Sequence, residues 1–496
     1  MPEKKTNNTI QAFWVAIGSL GAFGMTLIST MILSRYFDKS DYGTYRQVLY
    51  VYQTLLIVFT LGLPKAYSYF LPRVEDCCAK SLVNKITRLF YFLGGLFSVL
   101  LFIFAPQIAF ILKNPDLEIA LRIFSPVPFL MLPTMGIEGI YAVYQKNRYI
   151  ALYNILTKSL TLLCVALPVI LFNSTYKEAL MGFAIASFIS FLIATYMKYW
   201  CVQGKGDKPT EVTRRDIFQF SLPLLFASLW AMLTQSADSF FISRFFGKDV
   251  FAEFSNGSLQ LPFVGMIIGA CSAVLMPLFS KKVHENADPQ TEILPTWRSV
   301  FEKTIKITYP LILFFMVFAT EIMTTLYGSK YAESGIYFQI MLFLNFFTVI
   351  SYFPILMAVG ALKFYRNIQM YWAISVVVLE YLAVLIFNSP YVVTVVSVLC
   401  AVVSIGIMLA FIAKYFKVGI LGIIPIKLAV KIVILAIIFL SLIKLIINGL
   451  FPEMESLMYL SISFILFLII YLTTAPIVNI DYGSIISPIY KRLIKQ

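Results

Sequence analysis

The sequence predicts an all-α polytopic membrane protein with about fourteen transmembrane helices, arranged as two pseudo-symmetric six-helix bundles plus a C-terminal helix pair. Hydrophobic residues make up 60% of the 496-residue chain and charged residues only 13%, whereas about 25% of a soluble domain is charged. Apolar runs long enough to cross a hydrocarbon layer of about 30 Å recur throughout. Such runs must be helical in lipid, because every backbone polar group there needs an internal partner.

The order of the apolar segments sets the predicted domain plan, in which residues 1–205 form the first bundle and 206–416 the second. Residues 417–496 add two further helices and a cytoplasmic tail. The polar stretch Cys201–Asp216, which contains Gly and Pro, marks the boundary between the bundles. The first segment follows Lys4 and Lys5 but is too long for a signal peptide, so we expect a retained helix. The predicted spans are 10–34, 47–70, 89–112, 123–144, 149–172, 179–200, 217–243, 254–280, 307–326, 335–360, 367–387, 390–413, 420–443 and 456–477.

A motif that occurs twice supports the two-bundle plan. The stretch Ser34–Tyr45, SRYFDKSDYGTY, returns 209 residues later (243 − 34) as Ser243–Phe254, SRFFGKDVFAEF. Basic and aromatic positions match between the copies, and each copy follows the end of an apolar segment. A repeat at this distance indicates two similar halves, as in many secondary transporters. The alternative is that aromatic-basic turns recur at helix ends because membrane interfaces favour them.

The basic character of the chain, a net charge of +14, indicates membrane orientation and not nucleic-acid binding. With the amino terminus inside, most Lys and Arg residues lie in cytoplasmic segments, which is the positive-inside pattern and places both termini in the cytoplasm. Contact with anionic lipid headgroups is a second expected role. The six cysteines lie in spans or cytoplasmic segments, so we expect no disulfide framework. Cys77-Cys78 has no nearby His, and we expect no metal site.

Charged residues inside the spans are the candidate substrate-binding residues. A charge at membrane depth costs about 2.5–3.5 kcal/mol on insertion scales, so it usually faces a cavity or a partner. Arginine and lysine both bind phosphate, so a basic cavity favours an anionic, phosphate-bearing substrate. Arg46 and Gln53 share a predicted polar arc of the second span with Thr60, Pro64 and Ser68. The candidates are Arg35, Arg46, Gln53, Lys65, Lys158 and Arg244.

Alternative interpretations apply to these residues. Arg35 and Arg244 lie at equivalent helix ends, where they could face one cavity mouth or extend to the membrane interface. Buried polar residues could form hydrogen bonds between helices without any part in transport. Two acidic residues, Glu138 and Asp238, are candidates for neutralising the basic residues or for taking up H⁺ or Na⁺. Glu321 and Glu380 are weaker candidates, and no other cofactor is expected.

The sequence does not favour an enzyme. A membrane transferase generally needs a buried His or paired carboxylates beside an accessible loop. The sole histidine, His284, lies in a cytoplasmic connection beside Lys281 and Lys282. No GxxxxGK[ST] loop is present, so ATP hydrolysis by this chain is not expected.

The opening region resembles the polysaccharide flippases of the multidrug/oligosaccharidyl-lipid/polysaccharide (MOP) exporter superfamily. The resemblance rests on Arg35, Phe37, Tyr42, Gly43 and Tyr45, and the second copy fits the pattern with Ala252 in place of the glycine. It implies two six-helix bundles that open alternately to either side of a bacterial inner membrane. The implied substrate is an undecaprenyl-diphosphate-linked oligosaccharide repeat unit of O-antigen or capsule type, which moves to the outer leaflet. A glycan polymerase and a chain-length regulator are implied partners.

Three other functions stay open at this point. A multidrug cation exporter of the same superfamily would favour an acidic cavity, whereas the deep charges here are mainly basic. A lipid II flippase would handle a similar diphosphate lipid. A glycan polymerase or ligase would need a long external loop with basic and acidic groups, and the sequence contains no such loop.

Overall fold

The computed structural model describes residues 8–203, 208–350 and 352–483. Within these ranges the chain is helical and contains no strand. It divides into two compact units, Met1–Ala252 and Glu253–Gln496. The helices of the first unit are α1 (Asn8–Tyr36), α2 (Lys39–Phe59), α3 (Pro64–Phe70), α4 (Ala79–Ile103), α5 (Ala105–Ile111), α6 (Asp116–Phe124), α7 (Pro126–Met131), α8 (Ile137–Val143), α9 (Asn147–Phe172), α10 (Tyr176–Cys201) and α11 (Arg214–Gly257), whose end passes into the second unit.

The second unit continues with ten helices and a π-helical turn at Pro289–Ile293. Its helices are α12 (Pro262–His284), α13 (Leu294–Val317), α14 (Ala319–Tyr327), α15 (Ser334–Thr348), α16 (Phe353–Ala358), α17 (Leu362–Phe387), α18 (Pro390–Tyr415), α19 (Ile420–Ile423), α20 (Ile426–Leu450) and α21 (Ser456–Thr474).

The predicted class, an all-α multi-pass membrane protein, is confirmed. Twelve helices of the described residues are long and apolar enough to cross a membrane, and there are thirteen if the pair bent by 70° between Val317 and Ala319 is one span. The remaining predicted segment, 335–360, contains α15, which has only 15 residues. A helix of that length rises about 22 Å, less than the hydrocarbon thickness of about 30 Å. The count is therefore lower than the fourteen expected.

The two copies of the repeated motif form different turns. In the first copy only Phe37 and Asp38 separate α1 from α2. The Asp38 carboxylate accepts a hydrogen bond from the Asp41 amide at 2.7 Å, which caps α2 and starts it eight residues before the predicted span at residue 47. In the second copy α11 runs through Arg244 and is interrupted only at Gly247, whose φ is 85°. Glycine adopts that backbone conformation without steric cost.

Two predicted spans of the first unit are broken helices. The second span breaks between α2 and α3, where Leu61 and Gly62 have φ of 49° and 71°. The fourth breaks between α7 and α8, after Leu132–Thr134 and at Gly136, whose φ is 76°. Because of the first break, the polar arc expected along one continuous helix does not extend past Thr60, and Ser68 lies on a separate short helix.

Helix α11 packs antiparallel to α2 and α3. The rings of Tyr69 and Phe220 stack with centroids 4.1 Å apart, near the start of α11. Further along, Thr54 donates to Ser236 at 3.4 Å. These contacts explain why the first compact unit ends at Ala252 and includes most of α11. The predicted bundle boundary at 205/206 lies outside the described residues, and the six-plus-six division stays a prediction.

A buried polar network joins α2, the turn between α5 and α6, and α11 near the α1–α2 turn. Gln47 donates to the Ser243 hydroxyl at 2.7 Å, while Asn114 donates to Gln47 at 2.6 Å and to Thr44 at 3.0 Å. All four side chains are buried. Beside them Gly43 lies directly against the Lys248 carbonyl, so the first copy of the repeated motif contacts the second. Loss of one member leaves buried partners unsatisfied, at a cost of about 1–3 kcal/mol.

In the second unit an ion pair joins the last helix pair to a bent helix. Lys444 of α20 lies 2.6 Å from the Glu321 carboxylate of α14. The same ammonium group donates to the Val317 carbonyl at 3.0 Å, at the bend between α13 and α14. Lys444 lies one residue beyond the predicted span 420–443, and its pairing gives Glu321 a structural role at this bend.

We expect Gly43→Ala to lower the stability of the protein, because a Cβ at this position overlaps the Lys248 backbone. The expected loss is about 1–3 kcal/mol, typical of overpacking. Thermal unfolding in detergent measures it. Gly24→Ala is the matched control, since no atom lies within 4 Å of its added Cβ, and a glycine-to-alanine change in a helix is otherwise neutral or stabilising. Equal unfolding temperatures for the two variants would contradict the packing argument.

We expect Lys444 and Glu321 to be energetically coupled by about 1 kcal/mol, near the upper range measured for polar pairs in membrane proteins. A double-mutant cycle with Lys444→Met and Glu321→Gln measures this coupling through reversible unfolding. Additive effects of the two substitutions would show that the ion pair contributes no net stability.

Candidate functional site

Two short helices, α3 and α8, each follow one of the two helix breaks, and they lie side by side. We call them the half-helices. A Cβ on Gly136 would come within 2.5 Å of the Tyr67 ring, and a Cβ on Gly139 within 2.5 Å of the Ser68 hydroxyl. At Gly136 the added Cβ would also lie 3.1 Å from the Pro64 carbonyl, and the φ of 76° favours glycine, so the close approach depends on this glycine. At Gly139 the neighbouring atom is a side-chain hydroxyl, which can rotate away.

The two half-helices carry charged residues near their starts. Lys65 is the second residue of α3 and Glu138 the second residue of α8, and both side chains are exposed. Asn154 of α9 donates a hydrogen bond to the Glu138 carboxylate at 2.9 Å. Lys158 lies one turn further along α9 and is also exposed. We call Lys65, Glu138, Asn154 and Lys158 the half-helix group.

The exposure of the half-helix group has a physical consequence. Its members belong to segments apolar enough to cross a membrane. Because a charge facing lipid is costly, exposed charges in such segments usually face a water-filled cavity. A group with two lysines and one carboxylate that already accepts an amide hydrogen bond has an excess of positive charge, which suits an anionic ligand.

The other predicted basic residues lie elsewhere in the first unit. Arg35 is exposed at the end of α1, and Arg46 is partly exposed beside Gln47 of the polar network. Arg244 donates to the Phe110 carbonyl at 3.2 Å, close in sequence to the ion pair between Lys248 and Asp116 at 2.6 Å. Arg244 therefore has a hydrogen-bond partner within the protein.

Five of the six predicted substrate-binding residues thus form two sets and not one cluster: Arg35, Arg46 and Arg244 near the α1–α2 turn, and Lys65 and Lys158 in the half-helix group. Arg46 lies 13 residues before the end of α2 (59 − 46), about 20 Å along the helix axis, and Lys65 lies beyond that end. Gln53 lies between them and is exposed. A single phosphate group cannot contact both sets at once.

The acidic candidates differ in environment. Glu138 is exposed, whereas Asp238 of α11 is 5% exposed and lies five residues before Ser243. Glu380 of α17 is fully buried. Among the described residues, no group of three or more His, Cys, Asp or Glu side chains is arranged to hold a metal ion.

Lys198 is the residue of this region that the sequence pattern did not single out. Its side chain is 1% exposed, and its ammonium group donates to the Pro133 carbonyl at 2.5 Å and to the Tyr67 hydroxyl at 3.2 Å. Its position within the predicted span 179–200 was the available signal. That signal was weak, because a lysine near a span end usually extends to the membrane interface.

Comparisons with known proteins agree with this fold. The family model described as "Polysaccharide biosynthesis protein" matches residues 10–283. A relative, an uncharacterised membrane protein of Methanocaldococcus jannaschii, is 23% identical over 288 residues, covering 54% of this chain and 67% of the relative.

Solved structures of transporters are similar to this chain. A lipid II flippase, MurJ, in an inward closed conformation matches with a TM-score of 0.69 and 14% identity, over 94% of this chain and 100% of the flippase. An inward-facing multidrug resistance transporter of the MATE family and MOP superfamily matches with a TM-score of 0.65 and 13% identity, over 79% and 94%. A MOP-superfamily transporter from Pyrococcus furiosus, described as having a binding pocket of reverse polarity, matches with a TM-score of 0.56 and 14% identity, over 82% and 94%.

The family match covers more than half of the chain, and at these identities the structural matches establish the fold alone. The resemblance noted in the opening region is confirmed: the chain belongs to the polysaccharide biosynthesis protein family and has the fold of the MOP-superfamily transporters.

Proposed function

We propose that this protein is a flippase for a lipid-linked oligosaccharide, and that it moves an undecaprenyl-diphosphate-linked repeat unit of O-antigen or capsule type to the outer leaflet by alternating access. The observation that carries the proposal is the half-helix group, in which Lys65 and Glu138 are exposed on broken helices and Lys158 is exposed on the neighbouring helix α9. Broken helices at membrane depth are typical of transporter substrate sites.

The chemistry of the substrate fits this group. A sugar diphosphate cannot cross lipid unaided, because removing its polar and charged groups from water costs far more than thermal energy supplies. Lys65 and Lys158 would attract the diphosphate, while the isoprenoid tail stays in the bilayer. Arg35, Arg46 and Arg244 would meet the diphosphate at another stage of the cycle, since they lie too far from Lys65 to bind the same phosphate group. Gln53, which lies between the two sets, would contact the headgroup as it moves.

The remaining features of the proposal follow from this role. The protein acts as a carrier and not as an enzyme, and Glu138 or Asp238 couples the cycle to H⁺ or Na⁺ without a further cofactor. It resides in a bacterial inner membrane with both termini in the cytoplasm, in contact with anionic lipids. A glycan polymerase and a chain-length regulator act on the product that it delivers.

Lipid II is the second candidate substrate, because the fold matches a lipid II flippase over 94% of this chain. It shares the diphosphate-isoprenoid chemistry, so the half-helix group suits it equally. Growth of a strain that lacks its own lipid II flippase, when this protein is supplied, would favour this substrate.

We expect Lys65→Ala and Lys158→Ala each to lower glycan export about tenfold, because each removes a charge-assisted contact of about 1.5 kcal/mol or more. Export is measured as surface polysaccharide per cell, normalised to the amount of protein in the membrane. Lys414→Ala is the matched control, an exposed lysine in the last turn of α18. Unchanged export in both site variants would remove these lysines from the substrate site.

In a strain that lacks this protein, we expect single undecaprenyl-linked repeat units to accumulate in the inner leaflet. Mass spectrometry identifies the lipids, and a membrane-impermeant probe reports the leaflet that exposes them. Single units that face outward would indicate a later step, such as polymerisation or ligation. If no intermediate accumulates, the glycan substrate is wrong, and drug-resistance assays in a hypersensitive host would then test multidrug export.

A further inference from the structure

The geometry points to Lys198 as a positioning residue that aligns the two half-helices carrying Lys65 and Glu138. We propose that Lys198 does not touch the substrate but fixes the position of α3 relative to α8 through contacts inside the helix packing. Its effect on transport rests on the proposed function, whereas its effect on the alignment of the two helices does not.

The first step of the argument is the place of the ammonium group. Lys198 projects from the last turn of α10 and is buried. It therefore lies within the helix packing and cannot contact a ligand that binds the exposed half-helix group. Among the described residues no carboxylate forms an ion pair with Lys198. Its partners are the Pro133 carbonyl, the Tyr67 hydroxyl and the faces of the Tyr67 and Phe90 rings, 5.0 Å and 6.0 Å away.

The second step is the origin of the Pro133 carbonyl. In an unbroken helix this group would accept a hydrogen bond from the amide of residue 137. The left-handed Gly136 interrupts the helix there, and α8 begins only at Ile137. A carbonyl released by a helix break at membrane depth needs another donor. Lys198 supplies that donor, and so fixes the segment that leads into Glu138.

The third step is Tyr67, which connects Lys198 to the other half-helix. Tyr67 lies in α3, two residues after Lys65, and its ring packs directly against Gly136. Its hydroxyl is 2.8 Å from the Thr87 hydroxyl of α4 as well as 3.2 Å from the Lys198 ammonium. One ammonium group thus contacts both α3 and the turn that precedes α8.

The energetic cost of Lys198 supports a role beyond stability. Removing an ammonium ion from water without an opposite charge is expensive, and apolar replacements of buried charges are often neutral or stabilising. A residue whose only role was packing could be apolar. Lys198 is therefore best explained by the geometry that it imposes on the two half-helices.

A cross-linking experiment measures this alignment directly. The double variant Ser68→Cys/Gly139→Cys places one thiol on α3 and one on α8. A Cβ on residue 139 would lie 2.5 Å from the Ser68 hydroxyl oxygen, so the two thiols can form a disulfide after a small adjustment. The full-length protein is treated in membranes with a mild oxidant, and mass spectrometry follows the linked peptide over time. Ser68→Cys alone controls for reaction with the native cysteines.

We expect Lys198→Met to slow this cross-link about tenfold and to lower glycan export about tenfold, while the protein still accumulates in the membrane. Lys198→Arg, which keeps a charged donor, should retain most of both. Formation of the cross-link should restore export to Lys198→Met, because it replaces the alignment that the lysine provided. If Lys198→Met does not accumulate, Lys198→Gln is compared in the same way.

An unchanged cross-linking rate in Lys198→Met would overturn the proposal, whatever the export result. A second outcome would also overturn it. If the Cys double variant exports glycan with Lys198 intact, but the cross-linked protein with Lys198→Met does not, then Lys198 affects export by something other than helix alignment. If the unaltered protein exports no glycan in any host, the proposed function fails, and the cross-linking rate still decides whether Lys198 aligns the half-helices.

Discussion

A backbone carbonyl released by a break in a membrane helix must find a donor inside the protein, and this constraint shapes both units. In the first unit Lys198 donates to Pro133 at the break before α8, and in the second Lys444 donates to Val317 at the bend before α14. A lysine can serve from a neighbouring helix because its long stem packs among apolar side chains while its ammonium group reaches the carbonyl. Each unit thus uses a side chain of a later helix to stabilise an earlier broken one.

The breaks also separate two kinds of surface in the first unit. Near the α1–α2 turn, polar groups are buried and bonded to one another, with Gln47, Asn114 and Ser243 in direct contact. On the half-helices, charged groups are exposed. Buried, mutually satisfied polar groups stabilise a packing arrangement, whereas exposed charges at membrane depth are available to a ligand. The location of the charges alone, without this difference, would not distinguish a structural contact from a binding surface.

Hydrophobic patterning predicted much of this fold, because a run of about twenty apolar residues has few alternatives to a membrane helix. It did not predict the break between α2 and α3, because Leu61 adopts a left-handed backbone conformation that a leucine rarely adopts. The prediction of one polar arc through Thr60 and Ser68 was wrong for that reason. Lys65 and Lys158 were recognisable as charges within apolar runs. Lys198 and Lys444 were not, because they lie near span ends, where a lysine is ordinary, and their partners are distant in sequence.

The close approach at Gly43 affects how the duplicated segments can diverge. Gly43 meets the backbone of Lys248, which carries a Cβ of its own, so only one member of this contacting pair needs to lack one. The position of the second copy that matches Gly43 is Ala252, which is fully buried with its Cβ. Under the duplication that the 209-residue offset predicts, selection acts on the pair of positions and not on each copy. Sequence similarity between the two copies should therefore be lost first at the positions where the copies contact each other. An ancestral repeat then becomes hardest to recognise at the contact between its own copies.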